Sequence, residues 1–283
     1  DPLVLFNLGA LHLDLGRAQE AIPLLERSIE RAPAGFSLVC KSHVLLVCAQ
    51  RQLGRADEAL RACRAGRAKL PREPELLFYE GLLLQEAGDP VGAETHLREL
   101  LQMPPSSDLA GNDIGLRGYK TQHNLAIALR DQKRWQEAET VWRAAISSRA
   151  DFAPAWLGLA GLFTSQGRWD DLEREAVRAE ARSETREMAA LLRARVHLAR
   201  KEFSPAVELL KAAAVRLPHA AWPRLLLAEA RWLGGGEPAV IERALRDVLA
   251  LDPNHLPTRQ RLAQLIGRAN ATLPAPEQEP STE

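Results

Sequence analysis

Three cysteines and seven histidines are the side chains of this 283-residue chain best suited to nucleophilic, acid–base or metal chemistry. Their spacing serves none of these. Cys40, Cys48 and Cys63 form no C-x-x-C pair and read as buried free thiols in a reducing compartment. The chain contains no H-E-x-x-H, G-x-x-x-x-G-K, G-x-S-x-G or D-x-D, and no G-x-G-x-x-G that follows a strand. No catalytic residue, metal ligand or cofactor site is therefore expected. Asn270-Ala271-Thr272 matches a glycosylation acceptor but stands alone, without a secretory signal. What remains is binding chemistry, carried by Lys, Arg and a few aromatic rings. With 37 basic and 37 acidic residues the formal charge is zero, which argues against nucleic acid and anionic membrane as partners. No apolar run reaches the 18 residues or so of a membrane span. A cytoplasmic protein that binds another protein or a peptide is the expectation.

The elements that must position those residues are helices. Apolar residues make up 46% of the chain but aromatic ones only 5%, so Ala and Leu fill the interior. A turn residue followed five positions later by a small residue recurs in GRAQEA, GRADEA, GDPVGA, KRWQEA and KEFSPA, and GRWDDL keeps the turn. Counted back from these turns, units of two amphipathic helices begin near Pro2, Cys40, Pro74, Tyr119, Ala153, Glu187 and Ala221, at spacings of 38, 34, 45, 34, 34 and 34. In the first unit Leu5, Leu8, Gly9 and His12 line one face of helix A, while Ala21, Leu25 and Ser28 face back from helix B. The small residue at the eighth position is read as facing the small residue at the twentieth. Prolines such as Pro33, Pro71 and Pro218 end helix B, since they lack the amide proton that continues the ladder.

A period of 34 with this pattern resembles the tetratricopeptide repeat, over residues 2–254 or so. The resemblance implies an all-α superhelical solenoid of seven helix-turn-helix repeats, with a capping helix to close its end. The expected organisation is repeats 1–3 over 1–105, an inserted loop at 106–118, repeats 4–7 over 119–254, a capping helix at 255–272 and a disordered tail at 273–283. The cap is amphipathic through Leu262, Leu265 and Ile266. The four residues added near Gly35 and Phe36 are expected to lengthen a turn.

In this family the A helices line a concave groove, and the corresponding positions here hold Phe6, Ala10 and Leu13, then Lys41, Val44, Cys48 and Arg51, then Phe78, Leu82 and Gln85. Further along they hold Lys120, His123, Ile127 and Arg130, then Leu191 and Arg195. Lys41, Arg51, Lys120 and Arg130 are expected to orient an acidic group of the partner. Asn7, Lys120 and Asn124 match isolated elements of the family's carboxylate clamp, but Phe6 and Ala10 stand where it needs Lys and Asn, so chaperone docking is not expected. Trp135, Trp142, Trp156 and Trp169 read as structural, and Trp222 and Trp232 as either groove anchors or packing against the cap. His12 and His197 take a core or groove-edge position. Basic residues are too few on the A helices for an RNA-reading repeat.

The insertion SSDLAGNDIGLRG, with Asp108, Asn112, Asp113 and Arg117, is a loop on a rigid scaffold and a second candidate contact. Three segments, FNLGALHLDLGRAQEAIPLLERSIE, GLRGYKTQHNLAIALRD and FAPAWLGLAGLFTSQGRWDDLE, are similar to the tetratricopeptide region that follows the catalytic domain of certain bacterial family 2 glycosyltransferases. That resemblance implies an accessory region which dimerises the enzyme or presents its acceptor, with the nucleotide-sugar site upstream of residue 1. The opening Asp1, where an initiating Met is absent, fits a fragment of this kind.

Overall fold

The computed structural model describes residues 1–33, 37–104, 115–252 and 255–271. Among these residues every regular element is an α-helix. Two compact units divide the chain, Asp1–Leu162 and Phe163–Glu283.

The first unit holds α1 (Pro2–Asp14), α2 (Ala18–Arg31), α3 (Ser37–Gln52), α4 (Ala56–Lys69), α5 (Pro74–Glu86), α6 (Pro90–Gln102), α7 (Tyr119–Asp131), α8 (Trp135–Ser148) and most of α9 (Ala153–Ser165). Each helix from α1 to α8 packs on its neighbours in sequence, and α1, α3, α5 and α7 also touch one another in that order. The second unit holds α10 (Trp169–Glu180), α11 (Arg186–Ala199), α12 (Phe203–Arg216), α13 (Ala221–Leu233), α14 (Pro238–Leu251) and α15 (Leu256–Ala271). Its helices likewise pack in sequence order. The architecture is the all-α stacking of helical hairpins that the period implied.

The turn inside each hairpin is built the same way. Gly16 takes φ +72°, its amide bonds to Leu13 O at 2.9 Å, and the next amide, Arg17, reaches His12 O at 2.8 Å. Two carbonyls left open at the helix end are satisfied by this Schellman closure. Gly54, Gly88, Gly167 and Gly235 repeat it with φ between 67° and 81°, and Lys133 and Lys201 are forced into it at 63° and 60°.

Close helix approach comes from the small residues. Ala21, Ala59, Ala93, Ala138 and Ala206 are all fully buried. The eighth position, however, meets the twenty-fourth more closely than the twentieth. A Cβ added to Gly9 would lie 2.8 Å from Leu25 Cγ, and one added to Gly81 would lie 2.9 Å from Leu97 Cγ, with the Ala21 and Ala93 carbonyls behind at 3.6 and 3.5 Å.

Some expectations change. Helix α3 begins at Ser37, three residues ahead of the position that the period gives it, with Leu38 and Val39 each only 6% exposed, while Gly35 and Phe36, where a longer turn was expected, lie outside the described residues. On α15, Leu265 joins Ala228, Ile241, Ala244 and Leu245 in a core and Leu262 packs against it, but Ile266 is exposed and lies off that face. Leu8, read as part of the packed face of α1, is 42% exposed. In the fifth repeat Leu172, fully buried, stands where Ala21, Ala59, Ala93, Ala138 and Ala206 stand in theirs, and Thr185 Oγ1 donates to Ala179 O at 2.8 Å beyond the end of α10. Residues 106–114 of the insertion and the tail at 273–283 lie outside the described residues.

Candidate protein-binding face

The A helices of the first unit bring their second, fifth, ninth and twelfth positions onto one face, and two side-chain bonds show that α3 and α5 share it. Arg51 at the end of α3 forms a two-point ion pair with Glu86 of α5, through Nε at 3.3 Å and a second contact through the terminal nitrogen. Beneath it the Cys48 thiol donates to Tyr79 Oη at 3.3 Å. Phe78 is half-buried with its ring edge-on to Tyr79, centroids 5.8 Å apart. Phe6 is also half-buried and rests on the core around Leu13, Leu25 and Leu46. Lys41, at the other end of α3, is exposed.

Burial pushes the Cys48 thiol and the Tyr79 phenol above their ordinary values, outweighing the nearby Arg51 charge. Cys40 and Cys63 are likewise pushed up by burial, and all three cysteines are free. A protonated thiol is a poor nucleophile and a poor ligand. Among the described residues no group of three or more His, Cys, Asp or Glu could hold a metal ion. The face can bind by shape, apolar area and exchange of ion pairs.

The other expected residues divide. Arg130 is held by its neighbour Asp131, at 2.9 Å from Nε and 2.7 Å from the terminal nitrogen. Asn124 donates back along its own helix to Lys120 O at 2.9 Å, which spends the amide that a carboxylate clamp would need. Lys120 is half-buried. His123 is part of an aromatic cluster: its Nδ1 accepts from Trp142 Nε1 at 3.2 Å, and Phe152 meets its ring edge-on at 5.6 Å. Burial, then the Arg130 charge, lowers its pKa to about 4, so the ring is neutral near pH 7. In the second unit Arg195 pairs with Glu229 across α11 and α13 at 3.0 Å. Trp232 packs against the α13–α14–α15 core and Trp222 is buried, which places both in packing. Trp142 and Trp156 are buried as read; Trp135, by contrast, is 38% exposed.

Of the insertion, Asp108, Asn112 and Asp113 lie outside the described residues, whereas Arg117 donates to Pro104 O at 2.6 Å. GLRGYK is a fixed turn: Gly115 O accepts from the amides of Gly118 and Lys120, Leu116 is buried, and Thr121 Oγ1 donates to Leu116 O. A Cβ on Gly115 would sit 2.6 Å from the Tyr119 ring, so only glycine lets that ring lie flat against the turn. Phe152 then packs on Tyr119 with centroids 4.6 Å apart.

Sequence reading missed Glu86, Asp131 and Glu229, the carboxylates that neutralise the basic residues of the face. Glu86 and Asp131 both stand at the thirteenth position of a unit, itself a groove position, and that placement was the available signal. It also missed Glu80, a 5% exposed carboxylate at a position where most repeats carry Leu.

Comparison with known proteins agrees with this geometry. Family models described as tetratricopeptide repeat match residues 3–34, 44–108 and 123–184, together more than half of the chain. A solved tetratricopeptide repeat protein from Parabacteroides merdae superposes with TM-score 0.59 at 16% identity, over 94% of this chain and 98% of that one. PilW, described as a widely conserved type IV pilus biogenesis factor, gives 0.57 at 16% identity over 77% and 94%. PilF of Pseudomonas aeruginosa gives 0.51 at 16% identity over 93% and 97%. At such identities the solved structures speak for the fold alone. No curated protein sequence matches the chain. With the 34-residue period, the repeated Schellman turns and the matched family models in agreement, the chain belongs to the tetratricopeptide repeat family.

Proposed function

We propose that this chain is a non-catalytic scaffold of the cytoplasm that holds a peptide or helix of a partner protein on the A-helix face of its first unit. The observation that carries the reading is the run of half-buried apolar side chains, Phe6, Cys48, Tyr79 and Phe78, spread over α1, α3 and α5 beside the exposed Lys41. Rings that are partly buried already are held in place, so a ligand gains apolar contact at little ordering cost. Arg51 and Arg130 are neutralised by their own chain, which favours a largely apolar partner segment with one acidic group near Lys41 over a carboxylate-clamped terminus. A photo-cross-linking residue at position 78 should capture the partner, and the same residue at the exposed Thr140 of α8 should not. Equal binding by the parent chain and by Phe78→Ala with Lys41→Glu would sink the reading.

The second reading is an accessory region of a family 2 glycosyltransferase, in which this face serves the enzyme's own acceptor or subunits. GLRGYK supports it as a built element, since Gly115, Leu116 and Tyr119 are fixed by packing. Sequencing the gene upstream of the Asp1 codon tests it: a glycosyltransferase domain with a D-x-D motif is expected, and an initiation codon there would remove the idea.

A further inference from the structure

The A-helix face of the first unit has spent most of its own hydrogen-bonding groups. Arg51 is tied to Glu86 through two nitrogens, and Arg130 to Asp131 at 2.9 and 2.7 Å. The Cys48 thiol is bonded to Tyr79 Oη at 3.3 Å, His123 Nδ1 to Trp142 at 3.2 Å, and the Asn124 amide to Lys120 O at 2.9 Å. Among the described residues of α1, α3, α5 and α7, the side-chain amides left open on this face are those of Asn7, Gln52 and Gln85, and the Gln85 oxygen is itself buried. Between these groups the floor is apolar, with Phe6, Phe78, Leu82 and Ile127 all half-buried.

That inventory decides between the two forms a partner segment can take. Helices in contact lie about 8–10 Å apart, so a segment reaching from α1 over α3 to α5 covers about 20 Å. An extended chain rises about 3.3 Å per residue, and the six or so residues it needs bring about a dozen main-chain N–H and C=O groups to a face with few open partners. Each of those that loses water without gaining a partner weakens binding. In an α-helix the same groups are bonded to one another, and only side chains need a match. The repeat of a helix fits as well. Seven residues rise about 10.5 Å, close to one A-helix spacing, so apolar residues recurring by heptads meet α1, α3 and α5 in turn. Lys41 sets the charge, since it is exposed near the start of α3 and makes no ion pair among the described residues, whereas Arg51 and Arg130 are neutralised in place.

We propose that the occupant of this face is an amphipathic helix of about 14 residues or more, which lies across α1, α3 and α5, sets its apolar stripe on Phe6, Cys48 and Phe78, and turns an acidic side chain to Lys41. This assignment rests on the face being the protein's binding site, and goes beyond it by fixing the form of the partner.

A display library of random linear peptides of about 20 residues, selected on the full 283-residue chain and counter-selected on the chain with Phe78→Ala and Lys41→Glu, supplies the probe. Winning peptides should carry apolar residues three and four positions apart with an acidic residue on one flank. A synthetic winner with isotope-labelled carbonyls should show the amide I band of a helix when bound. A covalent bridge between residues four apart on its solvent side should tighten binding about threefold to tenfold, because it holds the helix beforehand. Exchanging its acidic residue for Lys should weaken binding to the parent chain about threefold and strengthen binding to Lys41→Glu by as much. Winners with apolar residues at every second position, an extended amide I band, or binding lost on bridging would overturn the helix and leave the face as the site. Failure of the charge exchange would overturn the contact with Lys41. Winners that bind the counter-target equally, or no winners, would remove the face itself and the helix with it.

Discussion

Two lysines show how strictly the repeat governs single residues. Lys133 and Lys201 occupy the left-handed turn position that glycine fills in the other hairpins, at φ 63° and 60°. A side chain there costs about 1–2 kcal/mol, whereas glycine enters at no steric cost but gives the unfolded chain more freedom, worth about 0.5–1 kcal/mol. Both lysines are exposed. Lys133→Gly is therefore expected to stabilise the chain by about 0.5–1 kcal/mol, and Gly54→Ala to destabilise it by a similar amount, as read from denaturant midpoints. His123 makes the opposite point, that position alone misplaces a residue. The repeat assigns it to the groove, yet its ring accepts from Trp142 and leans on Phe152. With a folded pKa near 4, below the unfolded value of about 6.5, its contribution is complete above pH 6.5 and is lost as pH falls toward 4. An imidazole NMR titration should show His123 neutral down to about pH 4; a midpoint above 6 would contradict the cluster.

At the scale of the element, the hairpins are held in order by charged pairs as well as by packing. Glu80 of α5 accepts from Arg67 of α4 at 2.6 Å and from Arg64 at 3.2 Å, with His96 Nε2 3.8 Å away. Burial pushes the Glu80 carboxyl up, but the bonds from Arg67 and Arg64 and the nearby His96 outweigh it and hold the group below the usual carboxylate range. In the second unit Arg193 takes the same repeat position and pairs with Glu180 of the preceding helix at 2.6 Å, again 13 residues away and with reversed polarity. Glu80→Gln is expected to cost about 1–3 kcal/mol, because it leaves the partly buried Arg67 short of its charged partner, while the exposed Arg64 can turn to water. The exchange Arg67→Glu with Glu80→Arg should recover more than half of what each single change loses. Since the carboxyl is depressed in the folded chain, its contribution stands above the unfolded value of about 4.3 and disappears as pH falls below it, so Glu80→Gln should also flatten the acid limb of the stability curve.

These pairs mark what could be read beforehand. The period, the turns and the small residues were legible because packing demands fixed volumes at fixed positions, as Ala21 and Gly81 show. The partner of Arg51 was not, since the choice of Glu86 depends on the stagger of α3 against α5. Nor was the early start of α3, which Leu38 and Val39 decide by finding a buried surface.

At the scale of the whole molecule, an array built from neighbour contacts should transmit damage only as far as those contacts reach. Inside the first unit every pair of adjacent helices from α1 to α8 is in contact, and the longer-range contacts reach only to the next hairpin, between A helices or between B helices as where Arg67 of α4 meets His96 of α6 at 3.1 Å, among the described residues. Leu25 is fully buried in the core that Leu13, Ile22, Leu46 and Ala49 form between α1, α2 and α3, with Ala62 of α4 packed against its edge. Leu25→Ala removes that contact and leaves a cavity, at a cost of about 3 kcal/mol. In a globular core such a loss lowers the protection of every amide together, whereas stability in a repeat array is a sum of local and nearest-neighbour terms. Hydrogen exchange of Leu25→Ala should accordingly speed up most in α1, α2 and α3, less in α4 and α5, and least in α7 and α8. A uniform rise over all eight helices would mean that the unit opens as one block. The graded result would in turn mean that the free energy of each contact is confined to the hairpins that make it.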